Sequence, residues 1–177
     1  MFEINFLVIG TQKSATTWIY QSLKNHPDIS LPNKKKEVQY IGGRLWEKKG
    51  DDWYFNLFNH DTTKLTGDVS VDYLCNKKSP KLLYERFPNM KFIISLRNPT
   101  ERAISAYSWY WRKGLIEKNI PIDIYFSELI KNRKDFKDSF SILNRGLYER
   151  QLFNYLEYFH PSQFKVIFYD DIKKDQQ

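Results

Sequence analysis

Apolar and polar positions divide the chain into short apolar runs and longer segments with helical spacing. Residues 4–9 (INFLVI) read as a buried strand closed by Gly10. A helix follows over 16–25 with Trp18, Ile19 and Leu23 on one side, stopped by Pro27, and "HPDISLP" reads as a connector. The charge run "KKKEVQYIGG" leads into a short apolar segment closed by two glycines. An aromatic-rich helix is expected over 46–58, carrying Trp46, Trp53, Phe55, Leu57 and Phe58. "KLTGDVS" reads as a short strand, and Ser79-Pro80 opens a helix to Phe87 with proline at its first position. "MKFIISLR" is the clearest buried strand, and Asn98-Pro99 opens the next helix, to about Tyr110. Further helical patterns cover 121–131 and 147–159, and the last strand spans 164–169.

Strands that alternate with helical segments predict an α/β domain with a mostly parallel sheet. Ligands of such sheets bind beyond the carboxyl ends of the strands. Three ends therefore matter: Gly10 onward, Arg97 onward and Tyr169 onward.

Composition narrows this picture. A chain of 177 residues suits one domain, and 41% hydrophobic with 17% aromatic residues excludes a disordered segment. The formal charge of +7 favours anionic partners, although a solvated lysine surface has the same count. The lone Cys75 excludes an internal disulfide framework and a cysteine metal cluster. No stretch reaches the about 20 apolar residues of a membrane helix, and the N-terminus lacks a signal-peptide pattern. The chain reads as cytoplasmic, as would one trimmed of an anchor.

The chemistry begins at "GTQKSATTW". A Walker A loop needs Gly10, four residues and then Gly-Lys-Ser/Thr, whereas this chain places Lys13 early and has Ala15-Thr16-Thr17 there. Unpaired N–H groups at a helix start, two hydroxyls and a lysine still make an anion site, most naturally for phosphate. Capping by Thr16 alone is the plainer reading. The strand 92–96 ends in Arg97 where a metal-dependent P-loop enzyme has an aspartate, so a cation meets the anion directly. Ser105 lies two helical turns beyond. Pairing of Arg97 with Glu101 or Asp68 is the structural alternative.

"TQKSATTWIYQSLKNHP" together with "KFIISLRNPTERAISAYSWY" resembles the sulfotransferases that use 3′-phosphoadenosine 5′-phosphosulfate (PAPS). The two motifs stand in that family's order and spacing, and with "FKVIFYDDIKKD" the resemblance runs over about the whole chain. It implies a P-loop-like three-layer domain over 1–177, with a central mostly parallel sheet flanked by helices. By this resemblance Ser14, Ala15, Thr16 and Thr17 hold the 5′-phosphate, and Lys13 sits beside the bridging oxygen where charge develops. Arg97 and Ser105 bind the 3′-phosphate, while Trp18 and Tyr169 lie at adenine. PAPS is the co-substrate, PAP the product, and no metal is needed.

The acceptor must lose a proton, which requires a general base. His26, His60 and His160 all lie in turns or helix ends. "KKKEVQYI" instead resembles the Glu-Val-x-aromatic segment of the heparan-sulfate branch, which makes Glu37 the base. Asp68, Ser70 and Tyr73 resemble an acceptor-side segment, with Val69 where a lysine is frequent. Gly146 and Tyr148 resemble a segment near cofactor or acceptor, without a role. The acceptor implied is a hydroxyl or amine compound, foremost a carbohydrate; no nucleic-acid partner is expected.

Two departures stand out. Ala15 replaces a glycine, at a cost of roughly 1 kcal/mol if the position needs a positive φ. No basic, glycine-containing loop that would close over the nucleotide follows the last strand. A non-catalytic PAP-binding module and an ATP-using P-loop enzyme are the competing readings, the latter weakened by the missing Walker glycine and aspartate.

Overall fold

Strand β1 (Phe6–Gly10) is buried along its whole length. Such an unbroken apolar run suits the centre of a parallel sheet covered on both faces. In the computed structural model, which describes residues 3–33, 36–41, 44–59, 61, 63–132 and 141–174, four more strands join it. They are β2 (Ile29–Ser30), β3 (Leu65–Val69), β4 (Lys91–Leu96) and β5 (Phe164–Phe168). Their order is β2-β3-β1-β4-β5, and every pair is parallel.

Alternation along the strands sorts side chains between two cores. Leu7, Ile9, Phe92 and Ile94 face one side, against Leu83 of α3 (Ser79–Arg86) and Tyr155 of α6 (Tyr148–Leu156). Phe6, Val8 and Val69 face the other, against Ile19 and Tyr20 of α1 (Thr16–Lys24) and Ile172 of α7 (Tyr169–Lys174). The result is the expected three-layer α/β arrangement. A satellite core joins α4 (Pro99–Arg112) to the segment after it, with Ala106, Tyr107 and Ile142 buried.

Most predicted elements stand within a residue or two. Three differ for identifiable reasons. β2 is a two-residue strand inside the "HPDISLP" connector, too short for any periodic signal. The last strand stops at Phe168, and Tyr169 opens a six-residue helix with Asp170 and Asp171 in its first turn, where carboxylates suit the helix dipole. The aromatic-rich segment forms α2 (Arg44–Phe55), broken at Gly50 with φ 72°, a conformation that favours glycine. Of the "KKKEVQYIGG" segment, Lys34, Lys35, Gly42 and Gly43 lie outside the described residues, as does His60.

Gly67 of β3 is paired in register with Phe6 of β1. Any Cβ at this glycine would fall inside the Phe6 ring. The contact fixes how β1 and β3 lie against each other, and both strands feed the site.

Candidate active site

The loops beyond the carboxyl ends of β1, β3 and β4 meet the start of α7 around a cleft of about 670 Å³. Lys13, Ala15, Thr16, Thr17, Glu37, Arg97, Ser105 and Tyr169 all line it, so eight of the ten predicted site residues come together.

One wall is the loop between β1 and α1. Thr11 donates its backbone N–H to the Ser95 carbonyl at 2.9 Å, and its hydroxyl bonds the same oxygen at 3.0 Å. The Ser95 hydroxyl donates to the Ser14 carbonyl at 2.5 Å, while Ser14 Oγ and Thr11 Oγ1 lie 2.6 Å apart. The loop is thus sewn to the adjacent strand β4. Ala15 has φ 58° and ψ 20°, so the position does need the left-handed conformation. Lys13 shares it, with φ 69°. No side chain caps α1, so capping by Thr16 is not what fills its N-terminus, and first-turn N–H groups face the cleft end of the helix.

The opposite wall is the segment 36–41. Glu37 (φ 66°) and Gln39 (φ 49°) are also left-handed, an arrangement that a chain keeps only where its surroundings impose it. Glu37 donates its N–H to the Val69 carbonyl at 2.9 Å, and a Glu37 carboxylate oxygen accepts from Val71 N–H at 3.4 Å. Gln39 N–H donates to Ser70 Oγ, and Tyr40 N–H and Ile41 N–H to the Tyr73 hydroxyl. Ser70 and Tyr73 in turn donate to the carboxylate of Asp68, which also accepts from Tyr54.

Asp68 and Ser70 are wholly buried and Tyr73 nearly so. The three therefore do not stand at an acceptor surface, contrary to the resemblance; they are the anchor under the segment that presents Glu37. Burial pushes the Asp68 carboxyl up to about 6, while its four hydrogen-bond donors hold it down. Val69 is buried against Phe6 and Val8. The carboxylate of this segment that lines the cleft is instead Asp72, held by Arg145 and Gln39, each at 2.6 Å.

Positive charge dominates between the walls. Burial lowers the pKa of Lys13, and Arg112, Arg97 and Lys36 lower it further. Lys13 Nζ lies 6.0 Å from the ring centroid of Trp109. Arg97 is paired with Glu101 rather than Asp68, donates toward the Lys13 carbonyl, and has its guanidinium 4.3 Å from the Tyr169 ring. Tyr148 donates to the Arg97 carbonyl at 2.9 Å, which gives that tyrosine a supporting place in the site. Cations gathered so closely that the pKa of Lys13 falls are the electrostatic mark of an anion site.

The sequence reading missed Lys36, which was part of a charge run. Its ammonium lies 3.0 Å from Thr17 Oγ1, 3.4 Å from Thr16 Oγ1 and 3.2 Å from the Glu37 carboxylate. Its adjacency to Glu37 was the available signal. Two expected residues stand apart from the cleft lining. Ser14 is fully buried beneath the loop. Trp18 is 42% exposed, because Ile19 and Leu23 take the inward stripe of α1 and Trp18 is turned about 100° from Ile19. Of the 107–111 aromatics, Trp109 and Tyr110 line the cleft and Tyr107 packs in the satellite core. His26 and His160 bond within their own turns.

Comparisons with known proteins bear on the family and the fold. The crystal structure of a sulfotransferase from Alicyclobacillus acidocaldarius superposes with a TM-score of 0.80 at 26% identity, covering 99% of this chain and 77% of that one. Mouse sulfotransferase SULT7A1, solved in complex with PAP, has the same fold at 18% identity and a TM-score of 0.64, over 99% of this chain and 56% of that one. Among curated proteins, bifunctional heparan sulfate N-deacetylase/N-sulfotransferase 4 of Mus musculus is 31% identical over 96% of this chain and 20% of its own length. Membrane-associated sulfotransferase kil1 of Dictyostelium discoideum is 35% identical over 74% of this chain and 28% of its own length. The chain spans about a fifth of the length of the heparan sulfate relatives it matches. Among the described residues no helix is long and apolar enough to cross a membrane. The family model described as the sulfotransferase domain matches residues 3–177, and the chain belongs to that family.

Proposed function

We propose that this domain transfers a sulfuryl group from PAPS to a hydroxyl or amine of a carbohydrate acceptor. The observation that carries the proposal is one cleft in which a helix N-terminus, two threonine hydroxyls and the cations Lys13, Lys36 and Arg97 face a carboxylate, Glu37. The cleft volume lies within the range of small-molecule sites. The heparan sulfate relatives favour a carbohydrate acceptor.

In this reading Thr16, Thr17 and the first-turn amides of α1 hold the 5′-phosphate, and Arg97 with Ser105 the 3′-phosphate. The loop wall formed by Ser14 and Ala15 gives backbone approach, and Tyr169 is the aromatic neighbour of adenine in the cleft; Trp18, exposed beside the lining, joins it only as adenine extends outward from the cleft. Glu37 accepts the acceptor proton as the new S–O or S–N bond forms. The S–O bond to phosphate breaks, its electron pair leaves on the phosphate oxygen, and Lys13 neutralises that charge. A fixed cation at such a position contributes most as charge develops. The roles of Lys13 and Glu37 and a cytoplasmic location belong to this proposal.

The test is calorimetric titration with PAP. Wild type should bind, and Arg97→Ala should weaken binding by roughly tenfold or more through loss of a charge-assisted contact. No binding by wild type would overturn the proposal. Undiminished binding by the variant would remove Arg97 from the 3′-phosphate site.

A further inference from the structure

The ammonium of Lys36 has three N–H donors, and three acceptors surround it: Thr16 Oγ1, Thr17 Oγ1 and the Glu37 carboxylate. A threonine oxygen that accepts from lysine has its own hydrogen left to donate elsewhere. Lys36 therefore sets both hydroxyls as donors toward whatever anion sits at the start of α1. The same ammonium is the ion-pair partner of Glu37, and the pair is largely shielded, at 19% and 31% side-chain exposure.

We propose that Lys36 is a shared cation that leaves Glu37 for the bound nucleotide anion, so that the carboxylate is freed when the anion is in place. The inference rests on the sulfotransferase reading of the cleft. Two further features support it. The Glu37 N–H is pinned to the Val69 carbonyl and a Glu37 carboxylate oxygen accepts from Val71 N–H, which holds the glutamate in place, whereas the lysine stem can swing. An arriving phosphate also presents more charge than one carboxylate, and it arrives beside the two threonines that Lys36 already touches. While Lys36 pairs with it, Glu37 is occupied by its neighbour and is no free base. With the anion bound, the ammonium turns to it and Glu37 faces the acceptor.

A double-mutant cycle on PAP affinity tests this, with thermal melts to verify folding of each variant. Lys36→Met should weaken PAP binding by roughly tenfold, the scale of a charge-assisted hydrogen bond. Glu37→Gln should tighten it by about three- to tenfold by releasing the cation, the scale of a partly shielded ion pair. In the Lys36→Met background, Glu37→Gln should have no effect. Lys36→Arg should stay within about threefold of wild type, because the charge is kept. Tightening by Glu37→Gln that is equal with and without Lys36 would reveal plain charge repulsion and overturn the inference alone. Unchanged affinity of Lys36→Met, or an arginine variant as weak as the methionine one, would overturn it too. Wild type that fails to bind PAP would overturn the parent reading, and this one with it.

Discussion

The two walls of the cleft use the same unusual backbone and hold it by different means. The β1–α1 loop places Lys13 and Ala15 in the left-handed region; the 36–41 segment does so with Glu37 and Gln39. The loop is stitched to β4 by Thr11, Ser14 and Ser95, short polar groups on neighbouring strand ends. The opposite segment hangs from Ser70 and Tyr73, and both of these lean on one buried carboxylate, Asp68. The first wall is held by a ladder extended by one step. The second adds to its contacts with Val69 and Val71 a support that converges on one buried ionisable group, which ties part of its integrity to pH.

The difference is broken most severely by Asp68→Ala. It leaves the Tyr54 hydroxyl without its acceptor and loosens Ser70 and Tyr73, so unfolding free energy should fall by about 3 kcal/mol in denaturant titrations. Sulfuryl transfer should collapse further than PAP binding, because the loop wall survives. Equal losses of both would show that the walls are not held separately.

A smaller effect separates them by pH. The Asp68 carboxyl has its pKa raised from an ordinary 3.8 to about 6, so the folded state binds the proton more tightly. Its stabilising contribution is full below the ordinary value and is lost as pH rises through 6. Relative to Asp68→Asn, wild type should lose on the order of 2 kcal/mol between about pH 4 and 7. Chemical denaturation of both proteins across that range measures it, and a pH-independent difference would refute the assignment.

The smallest change sharpens the loop side. Ala15→Gly relieves an L-residue at φ 58° and should raise stability by about 1 kcal/mol, less the added freedom of the unfolded chain. PAP affinity should not change, and a loss of stability on melting would contradict the strain argument.

The same contrast explains what was legible in the chain. β1, β4, α1 and α4 announced themselves through apolar runs and through the Asn98-Pro99 start, where Asn98 does accept from Thr100 and Glu101 N–H. The cleft residues on strand ends followed from them. Glu37 was reached by resemblance, but its support was not, because Ser70 and Tyr73 reach its segment through contacts 31 to 33 residues away in the chain and Asp68 acts through them. A carboxylate within an expected strand was the one local sign, since acids are depleted in strands. Lys36 was lost in a run of three lysines, told apart in the sequence only by its adjacency to Glu37. β2 had no pattern to read, and Trp18 kept a helical position but not the inward one.

The ring of Phe6 over Gly67 gives these strands a consequence for how the domain can vary. Position 67 has room for one residue type only while position 6 stays aromatic. Drift at either site is therefore conditional on the other. Because β1 leads into the loop that carries Lys13 and β3 carries the Asp68 anchor, the pair acts as a hinge pin between the two walls of the cleft. A lineage that exchanged the phenylalanine for a smaller side chain would gain freedom at residue 67 and, with it, a new spacing between the Lys13 loop and the segment of Glu37.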